Sequence, residues 1–359
     1  MVFIGDTMLE SDSFIFLLGA GASLDANIPI SSGMIDRVET LIKSDDTWKK
    51  YKDLYYCIKS GIINAAGITG NFSSNVVNIE TLVNTMEELL KSNLHPLYPF
   101  IGSWIPRLNE VCGYKFDMIG ELKKLIVEKL CTDWTKCAHA ENYKYYSNFL
   151  RLQNDYNYSL PIFTLNYDLC VENAVGKENV QRGFDKNHIW SWENLEEDSY
   201  ITEDIKLYKL HGSMDWKKLE TGEVEESDNV SPNDTAIIFG TAYKLQYVDP
   251  FLYLVNVFRK KTLAGNTKVI ICIGYSFNDE HINGIMSQSL EKNKKQKIIS
   301  IAPVTTDIEQ ERKRIVEQLK VNSNLDDRII IENKTAQSWL ETVTCKVIED
   351  YIGVNEEPF

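Results

Sequence analysis

Short apolar runs alternate along this chain with longer stretches of helical period. Ser13–Leu18 (SFIFLL) is apolar without alternation and stops at Gly19, which predicts a parallel strand buried on both faces. Pro161–Leu165, Lys206–Leu210, Ala236–Phe239, Val269–Ile273, Ile298–Ile301 and Ile329–Ile331 repeat that pattern. Helices are predicted over Pro250–Lys261, Asp279–Leu290, Ile308–Lys320 and Ala336–Tyr351. Strands alternating with helices predict an α/β fold with a Rossmann-like, mostly parallel sheet covered on both faces.

Residues 45–150 break that rhythm. In Ile79–Leu90 the apolar positions 79, 82, 83, 86, 89 and 90 share one helical face. Met118–Leu130 has the same period, and Glu141–Leu152 is a third helix by this measure. A Gly/Asn/Ser loop at Gly67–Asn75 and a Pro/aromatic stretch at His95–Pro106 separate them. The expected organisation is a Rossmann-like domain of residues 1–44 and 151–359, interrupted by an all-helical insertion of residues 45–150. Gly222–Asp234, acidic and polar, reads as an exposed loop. The aromatics of Tyr98–Trp104 read as core, with an interface as the alternative.

Composition narrows the chemistry. The 359 residues carry a net charge of −14, which argues against strong direct nucleic-acid binding. The basic run Lys292, Lys294, Lys295 and Lys297 reads as a solvated helix end. No apolar stretch approaches the roughly 18 residues of a membrane span. Seven cysteines without a CxxC pair give no zinc signature, and Cys170 and Cys272 read as core. Cys131 and Cys137, with His139 nearby, read the same way. The expected setting is a reduced cytoplasm, with no metal.

Four short motifs follow strand ends. Gly19-Ala20-Gly21-Ala22-Ser23 offers glycines that let backbone approach a pyrophosphate, and a hydroxyl donor. Leu24 stands where a dinucleotide fingerprint wants its third glycine, and no acidic residue ends a second strand about 20 positions on, so an ordinary NAD dehydrogenase is excluded. There is no P-loop and no GxSxG elbow. Asn166 and Asp168 lie just past a strand's carboxyl end, where open sheets bind ligands, although Asp168 also suits a helix cap. His211 is a general-base candidate, with Gly212 leaving room beside it. Gly274-Tyr275-Ser276 suits a phosphate or ribose, or a strand-to-helix turn capped by Ser276 or Asn278.

In this order the motifs resemble those of the sirtuin superfamily. Gly19–Ser23 with Ile28-Pro29 is similar to its glycine loop and following Ile-Pro. Asn166 and Asp168 match the Asn and Asp of its Gln-Asn-Ile-Asp, His211-Gly212 its His-Gly, and Gly274-Tyr275-Ser276 its Gly-Thr-Ser. Phe239-Gly240 resembles its Phe-Gly-Glu, with Thr241 in place of Glu. The zinc module, the Asp-Phe-Arg after Ile-Pro and that Glu are missing. These departures, and the pattern at Asn78–Leu90, resemble the bacterial sirtuin-like NAD hydrolases of anti-phage defence.

The resemblance implies NAD+ as substrate, cleaved to nicotinamide and ADP-ribose. It implies Asn166, His211 and Asp168 as catalytic residues. Gly19, Ala20, Gly21, Ser23, Pro29, Gly274, Tyr275 and Ser276 would bind NAD+. It further implies an NAD-depleting defence effector, controlled by homo-oligomer assembly or by a separate partner such as a DNA-translocating ATPase. The alternatives are an NAD-dependent deacylase or ADP-ribosyltransferase, and a non-catalytic sensor of ADP-ribose-type nucleotides.

Overall fold

The structure is a computed structural model and describes residues 9–70, 76–91, 104–112, 116–196, 205–239, 249–305, 307–322 and 327–353. Among the described residues ten strands form two sheets: β1 (Phe14–Leu18), β2 (Leu160–Thr164), β3 (Val180–Gln181), β4 (Ile205–Lys209), β5 (Gly212–Lys218), β6 (Val224–Glu226), β7 (Thr235–Ile237), β8 (Val269–Ile273), β9 (Lys297–Ile301) and β10 (Ile329–Glu332). The larger sheet has seven strands in the order β10-β9-β8-β1-β2-β4-β3. Every pairing in it is parallel. β5, β6 and β7 form a separate antiparallel sheet. The strand at Ala236–Phe239 expected from the sequence is therefore β7 of this small sheet.

The unbroken apolar runs follow from burial on both faces. Phe14, Phe16 and Leu18 of β1 enter one core, with Val269, Ile271 and Ile273 of β8. Ile15 and Leu17 enter the opposite core, with Ile270 and Cys272. Successive side chains of a strand point to opposite faces, so both sets must be apolar. Helices Asn148–Tyr156, Cys170–Val175, Ala336–Leu340 and Cys345–Ile352 cover the first face. Phe251–Thr262, Glu280–Lys292 and Ile308–Leu319 cover the second.

A third core holds the helical layer. It joins helices Ser31–Ser44, Lys52–Ile68, Ile79–Leu90 and Asp117–Lys129, and it takes in Tyr167 and Phe239 from the sheet side. The helical layer thus sits against the loops at the carboxyl ends of the strands. The domain division of residues 1–44 with 151–359, and 45–150, stands as a proposal. Helix Ser31–Ser44 crosses toward the helical core, where its Met34, Ile35, Val38 and Ile42 are buried.

Several elements differ from expectation for identifiable reasons. The helix expected over Ala336–Tyr351 is two helices. Thr344 caps the second by accepting from Val347 N, and Arg151 donates to Val343 O at 2.9 Å. The helix expected over Glu141–Leu152 is a short helix Ala140–Tyr143, a tight turn Lys144–Ser147 and helix Asn148–Tyr156. That turn buries Tyr145 and Tyr146 under the glycine loop. Gly222–Asp234 contains β6, whose Val224 is buried. Cys131, Cys137, Cys170 and Cys272 are free thiols, with Cys131, Cys170 and Cys272 buried and Cys137 partly so. Gly240, Thr241 and Tyr98–Ser103 lie outside the described residues, as does the side chain of Trp104. Among the described residues no helix is long and apolar enough to cross a membrane, and no group of three His, Cys, Asp or Glu suits a metal.

β3, β5 and β6 meet around a buried ion pair. Arg182 grips Asp215 with two bonds, Nη1 to Oδ1 at 3.2 Å and Nη2 to Oδ2 at 2.9 Å. Burial raises the Asp215 carboxyl's affinity for its proton, but Arg182 and then Lys209 outweigh it, and its pKa lies below the ordinary carboxylate value. The folded value being depressed, the pair stabilises above the unfolded carboxylate range near pH ~4 and is lost as pH falls through the lower folded value. Asp215→Asn is expected to cost about 1–3 kcal/mol at neutral pH, because Arg182 loses its two-bond carboxylate partner and keeps only Glu172 and Glu226. The gap from wild type narrows on acidification, as urea midpoints at neutral and acid pH will show.

Candidate active site

β1 lies at the switch point of the large sheet. From it the chain order runs through β2 and β4 to one edge and through β8 and β9 to the other. Open α/β sheets bind ligands at the carboxyl ends of strands beside such a point. All four motifs stand at this edge of the molecule.

Gly19 ends β1, and Ala20–Ser23 make one tight helical turn. Gly274 ends β8 at φ +60°. The two loops touch backbone to backbone: Gly21 N donates to Gly274 O at 2.9 Å, and Gly19 N to Ile273 O at 2.9 Å. A Cβ on Gly274 would lie 2.0 Å from Ala22 N, and one on Gly19 would lie 2.6 Å from Gly274 O. These glycines are required first by each other. Tyr275 turns inward, its hydroxyl donating to Asn283 Oδ1 at 2.8 Å, whereas Ser276 is exposed. Ala20 is exposed and Pro29 half-buried, just before helix Ser31–Ser44.

Ser23 is the meeting point of the first two motifs. Asn166 Nδ2 donates to Ser23 Oγ at 3.2 Å, and Tyr146 OH lies 3.0 Å from the same oxygen. Burial, then Tyr145 and Asp168, hold the Tyr146 phenol well above its usual pKa, so it stays protonated. Tyr145 OH donates to Ala22 O at 2.6 Å. Asn166 is itself set by its N–H donating to Thr164 Oγ1 at 3.0 Å. Asp168 Oδ1 accepts from Cys170 N at 3.0 Å, a side-chain turn just before helix Cys170–Val175, whose N-cap position is Leu169. Removing the Asn166 amide is expected to lower turnover by roughly 10²-fold through lost orientation. Steady-state kinetics of Asn166→Ala, with its melting curve unchanged, will check this.

His211 joins the end of β4 to the start of β5, rather than leading into a loop or helix. Gly212 follows at φ +84°, where a Cβ would lie 2.1 Å from Ala236 O. Pairing with β7, not room for a ligand, accounts for this glycine. His211 is only 5% exposed. Its Nε2 lies 3.3 Å from Asp279 Oδ2, while Nδ1 is buried with no hydrogen-bond partner among the described residues. Asp279 caps helix Glu280–Lys292 through Oδ1, which accepts from His281 N and Ile282 N. A carboxylate at Nε2 holds the imidazole proton there and leaves Nδ1 as the basic nitrogen.

Asp279, not Ser276 or Asn278, is the cap, and its pairing with His211 was not read from the sequence. An Asp immediately before a helical run is the signal for a cap; nothing in it names the histidine. Glu80, in the first turn of helix Ile79–Leu90, is the other unforeseen carboxylate. Burial raises the pKa of both Tyr167 and Tyr275, reinforced by Glu80 and Asp279 at Tyr167 and by Asp279 at Tyr275.

Residues 161–324 match the family model of the SIR2-like domain. No curated protein matches the chain. Among solved structures it is similar to Sir2Tm bound to a propionylated peptide, at 10% identity over 97% of this chain and 95% of that one, with a TM-score of 0.38. The family match runs from β2 through Asn166, Asp168, His211 and Gly274–Ser276.

Proposed function

We propose that this chain is an NAD+ glycohydrolase. NAD+ and water give nicotinamide, ADP-ribose and a proton, through an oxocarbenium-like state at the ribose carbon. The observation that carries this reading is the His211–Asp279 pair, with Nδ1 unpartnered, at the same sheet edge as the Ser23–Asn166 contact. Pure binding needs no such base, and His211 at that edge suits proton removal from water or a ribose hydroxyl.

In this reading Gly19, Ala20, Gly21 and Ser23 hold the pyrophosphate and adjoining ribose, with Pro29 behind them. Gly274, Tyr275 and Ser276 form the opposite wall. Asn166 orients the nicotinamide ribose or the attacking water, and Asp168 receives the carboxamide. No metal is required by these roles. An enzyme that drains NAD+ calls for control, and assembly of the chain or a partner protein, in the setting of anti-phage defence, is part of the proposal.

The test is product analysis with and without an acetyl-lysine peptide. Hydrolysis gives ADP-ribose at a rate the peptide does not change. Nicotinamide release only with peptide, accompanied by an acylated ADP-ribose, contradicts the reading and favours a deacylase.

A further inference from the structure

A fully buried lysine sits two residues before His211. Lys209, the last residue of β4, is 1% exposed. Its ammonium donates to the backbone carbonyl of Asp168 at 2.5 Å and to Glu172 Oε1 at 3.0 Å. Glu172, equally buried, lies on the helix Cys170–Val175 that leaves the Asn166–Asp168 loop. The same Glu172 oxygen accepts from Arg182 Nη1 at 3.1 Å, and Arg182 continues to Asp215 and Glu226. Ser213 Oγ donates to Asp215 Oδ1 at 2.6 Å. The chain of charges therefore begins at the Asn166–Asp168 loop and ends in β5 and β6.

The backbone repeats the connection. Met214 N donates to Tyr167 O at 3.1 Å and Leu210 N to Thr164 O at 2.9 Å. The carbonyls on both sides of the Tyr167–Asp168 peptide are thus held from the strand pair that carries His211. Buried ion networks of this kind add little stability over apolar packing of the same volume; what an ionic set with fixed partners supplies is one defined geometry.

We propose that Lys209 is a positioning residue, which fixes the loop bearing Asn166 and Asp168 to the strand end bearing His211. The inference rests on the hydrolase reading above. The Gly19 and Gly274 loops, which would hold the ADP-ribose part, are not bonded to Lys209. Displacing the lysine therefore affects the nicotinamide end first, and reaches the other end through the Asn166–Ser23 hydrogen bond.

The experiment compares the full-length wild type with Lys209→Met and with Lys209→Met/Glu172→Met. The double variant removes both charges, so no carboxylate is stranded if the single one folds poorly. ADP-ribose affinity and nicotinamide release from NAD+ are measured for each. The expected result is ADP-ribose affinity lowered far less than kcat in the folded variants, with kcat lowered at least ~10-fold and KM little altered. Retention of full kcat by a folded variant overturns the proposal, and so does an equal loss of ADP-ribose binding, which marks general collapse of the site. A wild-type chain that releases no nicotinamide removes the hydrolase reading and this inference together, whereas an active wild type with an equally active Lys209→Met removes only the latter.

Discussion

His211→Ala is expected to lower nicotinamide release by roughly 10²–10⁴-fold, the range general-base catalysis supplies. The fold should survive, because among the described residues Asp279 is the one polar partner of the imidazole and its other nitrogen has none. Asp279→Asn separates the two jobs of that carboxylate. The amide oxygen still caps helix Glu280–Lys292, so stability changes little. The proton is no longer held on Nε2 by a negative charge, so activity falls toward that of His211→Ala. Kinetics beside thermal melts of the two variants check both halves. Loss of activity in Asp279→Asn with no loss of melting temperature is the outcome that assigns Asp279 to the imidazole.

Gly274→Ala is expected to be among the most damaging single substitutions for stability, above about 4 kcal/mol. Two costs coincide there. A side chain at φ +60° is strained by about 1–2 kcal/mol. The larger cost is the clash: the new carbon would lie 2.0 Å from Ala22 N and 2.2 Å from Gly21 C, both backbone, which cannot rotate aside. The seam between the β1 and β8 loops must open, and nucleotide binding goes with it. Gly284→Ala is the control. That glycine is exposed within a helix, meets nothing within 4 Å and is expected to gain up to about 1 kcal/mol. Chemical denaturation of both variants, with NAD+ binding measured alongside, checks the pair.

The parallel sheet was legible because burial on both faces leaves an unmistakable mark, as in Phe14–Leu18 and Val269–Ile273. The positions of Asn166, His211 and Gly274 at strand ends followed from the same runs. What the pattern hid was local competition. Thr344 restarts a helix that apolar period alone would continue from Ala336. Lys52–Ile68 forms a helix although its Gly61 and mixed aromatics blur the period. In sequence Lys209 is one more residue of a strand, because only the tertiary fold delivers the Asp168 carbonyl and Glu172 to its ammonium. The glycines Gly19 and Gly274 follow their strands as the sequence places them, and backbone against backbone is the reason for both. Partners distant in sequence, such as Ser23 with Tyr146 or His211 with Asp279, leave no local signal.

The most direct measurement of the central claim is nicotinamide released from NAD+ by the purified chain, with His211→Ala and Asn166→Ala beside it. The expected result is release by the wild type, matched by ADP-ribose, and little from either variant. NAD+ binding without release by any of the three would contradict the hydrolase account and leave a nucleotide sensor in its place.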